Sequence, residues 1–112
     1  MERIIEKVYD LSTKELLKAM AFYGGFSSKH EAYSVIKEEF EETEEELEKA
    51  AESISKIWTF VRNDEDESVR RESKDLLRAS LKTAAEAVQL AAMARKLIIY
   101  LEEDELEEEE NE

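Results

Sequence analysis

The chain has 112 residues, 30 of them acidic against 16 basic for a net charge of −14, with no cysteine, no proline and two glycines. Without thiols there is neither a disulfide framework nor a cysteine-ligated zinc site, and a reducing, cytoplasmic setting is expected. At 42% hydrophobic residues the composition is that of one globular domain, and the lack of turn-forming residues argues against a multi-stranded sheet and for an all-α bundle of long helices.

In chain order, Ile4, Ile5, Val8 and Leu11 give the first segment an apolar side at helical spacing, continued by Leu16, Leu17, Met20 and Ala21. Ser12 and Glu15 have capping-box spacing, so a break near Ser12 and one unbroken helix both fit. The first helix is expected over about residues 2–23, ending at Gly24 and Gly25, which can take the positive φ of a helix C-cap.

Ser28 and Glu31 repeat the capping-box spacing and open a second helix, expected over about 28–62. Ile36, Phe40, Thr43, Leu47, Ala50, Ile54, Ile57 and Val61 alternate steps of four and three, which keeps one seam facing a neighbour. The polar run at residues 63–68 suits a turn, and a third helix is expected over about 68–101. A helix of some 35 residues is about 50 Å long, whereas a compact chain of this size spans roughly 35 Å. One copy cannot cover that seam, so completion of the bundle by a homodimer or a higher homo-oligomer is expected.

Residues 102–112 (EEDELEEEENE) hold nine of the acids, which leaves the body at a net −5; this end is expected to be a solvated, disordered tail. The acidic balance argues against binding nucleic acid or an anionic membrane. The longest uncharged stretch near the C-terminus, residues 87–94, is too short to cross a bilayer.

A helical wheel sorts the carboxylates of the second helix into two sets. Glu38, Glu41, Glu45, Glu48 and Glu52 point away from the seam, while Glu39, Glu42 and Glu46 run along its flank, where a facing helix would partly bury them. Carboxylates one turn apart repel, and a hard divalent cation relieves that repulsion; a plain solvated acidic face has the same spacing. In the third helix, residues 84–101 are apolar nearly all round, and Glu86 is the only acid there, in line with Gln89 and Met93. A carboxylate among alanines asks for a partner, a metal or a simple pairing with Lys82 one turn earlier.

The run Glu38-Glu39-Phe40-Glu41-Glu42 resembles the EExxE motif of the all-α nucleoside triphosphate pyrophosphohydrolases, the MazG-like superfamily that includes the dimeric dUTPases. The segments GGFSSKHEAYSVIKEEFEE and EAVQLAAMARKLI are similar to a phage and bacterial branch of it, over roughly residues 22–101. The resemblance implies a long-helix MazG-like bundle completed by dimerisation, and Mg²⁺-dependent hydrolysis of a nucleoside triphosphate to monophosphate and pyrophosphate. It makes Glu39, Glu42 and Glu86 metal ligands, for Mg²⁺ or Mn²⁺, and Glu38 the neighbouring catalytic acid of the motif. The family's ExxD segment falls at Glu86-Ala87-Val88-Gln89, so Gln89 stands where the family has an aspartate and offers an amide oxygen instead of a charge. On the wheel Arg78 and Lys82 share the side of Glu86, which fits either receipt of triphosphate oxygens or ordinary solvated charges that balance the acidic helix. The resemblance marks His30 as a substrate-side residue, whereas its place in the first turn of the second helix also fits capping or packing. The alternative is a non-catalytic helical assembly protein that kept the fold and lost the active site.

Overall fold

A computed structural model describes residues 2–111, in three helices: α1 Glu2–Tyr23, α2 Lys29–Arg62 and α3 Asp66–Asn111. No strand occurs among the described residues, and none of their helices is long and apolar enough to cross a membrane.

Local chemistry accounts for each boundary. α1 runs unbroken through Ser12 and ends where the Gly24 N–H donates to the Met20 carbonyl at 2.9 Å, with Gly24 at φ 70°. At the start of α2 the Glu31 N–H donates to Ser28 Oγ (3.1 Å), half of the expected capping box. The returning half goes one residue astray, since the Glu31 carboxylate accepts from the N–H and hydroxyl of Ser27. Asp64 turns the chain into α3 at φ 58°, a left-handed conformation that aspartate tolerates better than most residues, and Asp66 and Glu67 place negative charge at the N-terminal end of α3.

α3 continues past Leu101 to Asn111, so the acidic end expected to be disordered is helical up to that residue. Glutamate and leucine are good helix formers and nothing in 102–111 breaks a helix; like-charge pairs one turn apart cost only a few tenths of a kcal/mol, roughly 0.2–0.5 each.

The chain groups into two compact units, one holding the residues up to Glu39 with those from Ala87 on, the other Phe40–Glu86. In the first, Leu16, Phe26, Ala32, Ala92 and Met93 form the buried core, with Val35, Ile36 and Leu97 packed on it. Ala32 and Ala92 are both 0% exposed, and side chains this small let helix backbones approach closely. Arg95 ties α3 to α1 in this unit: its guanidinium lies 4.1 Å from the centre of the Tyr9 ring and donates to the hydroxyls of Ser12 (2.9 Å) and Thr13 (2.7 Å).

The second unit is an antiparallel helical hairpin, made by the later part of α2 and the first part of α3. Its buried positions include Ala50, Ser53, Ala79, Glu46 and Glu72. The expected seam of α2 is only partly covered, because Phe40, Leu47, Ile54 and Val61 remain about half exposed, as do Trp58, Leu77 and Leu81. In this unit the covered positions lie between the two sides of α2, Glu46 and Ser53 from the acidic flank together with Ala50 from the apolar stripe.

Candidate metal centre

Helix periodicity places Glu39 and Glu42 one turn apart on α2, while the hairpin brings Glu86 of α3 to the level of Glu42. One carboxylate oxygen from each of the three lies within 4.8 Å of those of the other two. Glu39 and Glu86 are half-buried. Desolvation first, then the charge of Glu86 and a hydrogen bond shared with it, hold the Glu42 carboxyl above the usual carboxylate range. Three acids so close favour either a shared proton or a cation. All their donor atoms are oxygen, the set that suits Mg²⁺ or Mn²⁺ and not a soft metal.

One turn further along the hairpin the charges become compensated. Glu46, 7% exposed, accepts from Lys49 Nζ at 2.9 Å and pairs with Lys82 Nζ at 3.4 Å. The Lys49 hydrogen bond is the main reason that the Glu46 carboxyl sits below its ordinary pKa. Lys82 therefore reaches across to α2, and Glu86 faces Glu42 in place of the one-turn pairing with Lys82 that the sequence also allowed. Arg78 is bound to Asp75 (3.0 Å) and, with Lys49, Lys56 and Lys82, lines a groove of about 310 Å³ that also carries Glu46, Glu72 and Asp75.

In the first unit Glu39 lines a cavity of about 360 Å³ with Phe26, Glu31, Val35, Gln89, Met93 and Lys96. Gln89 is engaged there in a way the sequence did not indicate. Its side chain hydrogen-bonds the Glu15 carboxylate, the largest cause of the lowered pKa of Glu15. The amide NH2 of Gln89 is the donor to that carboxylate, which leaves its amide oxygen, the atom expected to join the ligand set, outside this bond. Glu15 was missed because α1 reads as a packing helix, and no spacing within it points to α3. Glu31, the other acid near this cavity, is held at the start of α2 by Ser27.

The remaining expected residues lie apart from the cluster. Glu38 is exposed and is not one of the three clustered acids. His30 is exposed on the first turn of α2 and does not line the cavity.

No protein-family model, curated protein or solved structure matches this chain.

Proposed function

We propose that the chain is a MazG-like nucleoside triphosphate pyrophosphohydrolase in which Glu39, Glu42 and Glu86 hold Mg²⁺. The observation that carries this reading is the meeting of three carboxylates from two helices, with Glu42 left at a raised pKa, at the positions that the EExxE and ExxD resemblance selects. Mg²⁺ bound there would supply charge neutralisation for the phosphate oxygens of the substrate. The chain's own residues supply the rest. Lys82 and Lys49, a turn from the Glu42–Glu86 pair, are positioned to receive phosphate oxygens, and Arg78 sits a turn beyond. Glu39 borders the cavity that would take the nucleoside. Addition of water between the α and β phosphorus atoms then releases nucleoside monophosphate and pyrophosphate.

The test is pyrophosphate release from a panel of ribo- and deoxyribonucleoside triphosphates with Mg²⁺ or Mn²⁺. Turnover that disappears in Glu39→Gln is expected; no release from any nucleotide would remove the enzymatic reading. In its place would stand the second reading, a helical assembly module without chemistry, which Gln89 at the place of the family aspartate favours because it leaves three carboxylates where the family pattern has four.

A second copy of the chain completes the bundle in this proposal. Seven large apolar side chains of the Phe40–Glu86 hairpin stand about half exposed along α2 and α3. At roughly 100 Å² each they offer on the order of 700 Å² per copy, close to the half-share of a standard interface. Light scattering should give twice the chain mass, and Leu47→Lys with Ile54→Lys should return the monomer.

A further inference from the structure

We infer that the cavity beside Glu39 is a nucleobase pocket in which the Lys96 ammonium reads a carbonyl oxygen, so that the substrate carries guanine, uracil or thymine and not adenine or cytosine. The inference rests on the nucleotide reading above and adds the class of base.

Lys96 is 5% exposed, an unusual place for a lysine, and its Nζ lies 4.3 Å from the centre of the buried Phe26 ring. Its side chain lines the 360 Å³ cavity whose apolar walls include Ala19, Phe26, Val35 and Met93, a volume within the range of small-molecule sites. The carboxylate on the same cavity, Glu31, feels the charge of Lys96 but already accepts from both the N–H and the hydroxyl of Ser27.

The cavity has two chemically different ends. Glu39 belongs to the acidic cluster and Lys96 does not. On α3 Gln89, Met93 and Lys96 follow at steps of four and three, which sets Lys96 about 10 Å along the helix axis from Gln89. A nucleotide with its phosphates toward Glu39 presents the far edge of its base to Lys96, between apolar walls and beside the Phe26 ring.

At that edge the bases divide. Guanine, uracil and thymine offer a carbonyl oxygen where adenine and cytosine offer an amino group. An ammonium has three donors and no acceptor. Against a carbonyl it forms a charge-assisted hydrogen bond; against an amino group two donors meet, and a desolvated charge is left unpaired. A polar group that must be satisfied discriminates far better than an apolar wall.

The experiment is calorimetric titration of the full chain, without metal, with GMP, IMP, UMP, dTMP, AMP and CMP, on wild type and on Lys96→Met. The carbonyl-bearing nucleotides should bind at least about tenfold more tightly than AMP and CMP, and Lys96→Met, shown to be folded by its melting curve, should level the six. IMP against AMP tests the point on wild type alone, since the two differ only in a carbonyl oxygen against an amino group at position 6 and in the proton that N1 carries with the carbonyl; the inference therefore stays testable even if Lys96→Met does not fold. Equal affinities, a preference that survives Lys96→Met, or no binding to wild type at millimolar nucleotide overturns the inference. Pyrophosphate release is assayed in parallel. Release without base preference sinks the pocket inference and keeps the enzyme, whereas selective monophosphate binding without release sinks the enzyme and keeps the pocket.

Discussion

Glu42 and Glu86, 44 positions apart in the chain, place their carboxylates against each other where α2 meets α3, with no cation from the protein among the causes that set the pKa of Glu42. The pair is therefore an electrostatic liability in the metal-free chain. Because the folded-state pKa of Glu42 is raised, the protonated carboxyl favours folding below its ordinary value, and this contribution disappears as pH rises through the folded-state pKa. Glu42→Gln removes the charge without changing the shape. It should raise the melting temperature of the metal-free protein at pH 7 and have no effect near pH 3, where the wild-type carboxyl is already neutral. Thermal melts at the two pH values decide this; a variant less stable than wild type at pH 7 would mean the three acids are not in net repulsion.

A cation reverses the sign of that effect. A ligand that binds only the folded state stabilises it by about 2.7 kcal/mol at a hundred times its dissociation constant. Mg²⁺ or Mn²⁺ should thus raise the wild-type melting temperature, and a chelator should return it. Glu39→Gln, Glu42→Gln and Glu86→Gln should each lose most of the increase, while Glu38→Gln, changed at an exposed position outside the cluster, should keep it.

The compensated turn next to this pair behaves in the opposite sense with pH. Glu46 is held below its ordinary pKa, first by the Lys49 hydrogen bond and then by the charges of Lys49 and Lys82. Its contribution to stability is present above the ordinary carboxylate value and is lost as pH falls through the depressed one. Both lysines are well exposed, so solvent screens them and each lysine-to-methionine change should lower the melting temperature at pH 7 by no more than a few degrees. Lys49→Met should cost more than Lys82→Met, following the 2.9 Å and 3.4 Å contacts. Once pH has fallen below the depressed pKa of Glu46 the difference from wild type should vanish.

What the sequence showed of this site was what helix periodicity controls. Glu39, Glu42 and Glu46 stand on one flank because 3.6 residues make a turn, and Glu86 stood out because an acid among alanines requires an explanation. The relations that stayed hidden all depend on the register between helices. That Gln89 meets Glu15, and that Lys96 lies under Phe26 at a cavity wall, follow from how α1 and the Gly24–Gly25 turn dock on α3, and no spacing within one helix encodes them. At the acidic end composition and local propensity point different ways: the density of charge suggests disorder, whereas a run of glutamates with no breaker continues a helix already begun, as α3 does to Asn111.

That docking register has one identifiable determinant on α3. Arg95 spreads its guanidinium over Tyr9 and donates from one nitrogen to Ser12 and Thr13 and from the other to the Tyr9 hydroxyl (3.1 Å). Ser12 is 1% exposed and donates its own proton to the Tyr9 carbonyl at 2.7 Å, so its oxygen depends on Arg95 for a donor. Arg95→Met keeps the aliphatic stem and removes every donor. It should cost about 1–3 kcal/mol in urea denaturation, the range for leaving a buried polar atom unmatched. Arg95→Lys should recover little of this, because an ammonium cannot lie flat on the ring and serve three hydroxyls from a planar fork. Full stability in Arg95→Met would show that the small-residue contact around Ala92 sets the register by itself. A loss that Ser12→Ala, made on top of it, does not increase would place the cost at that hydroxyl.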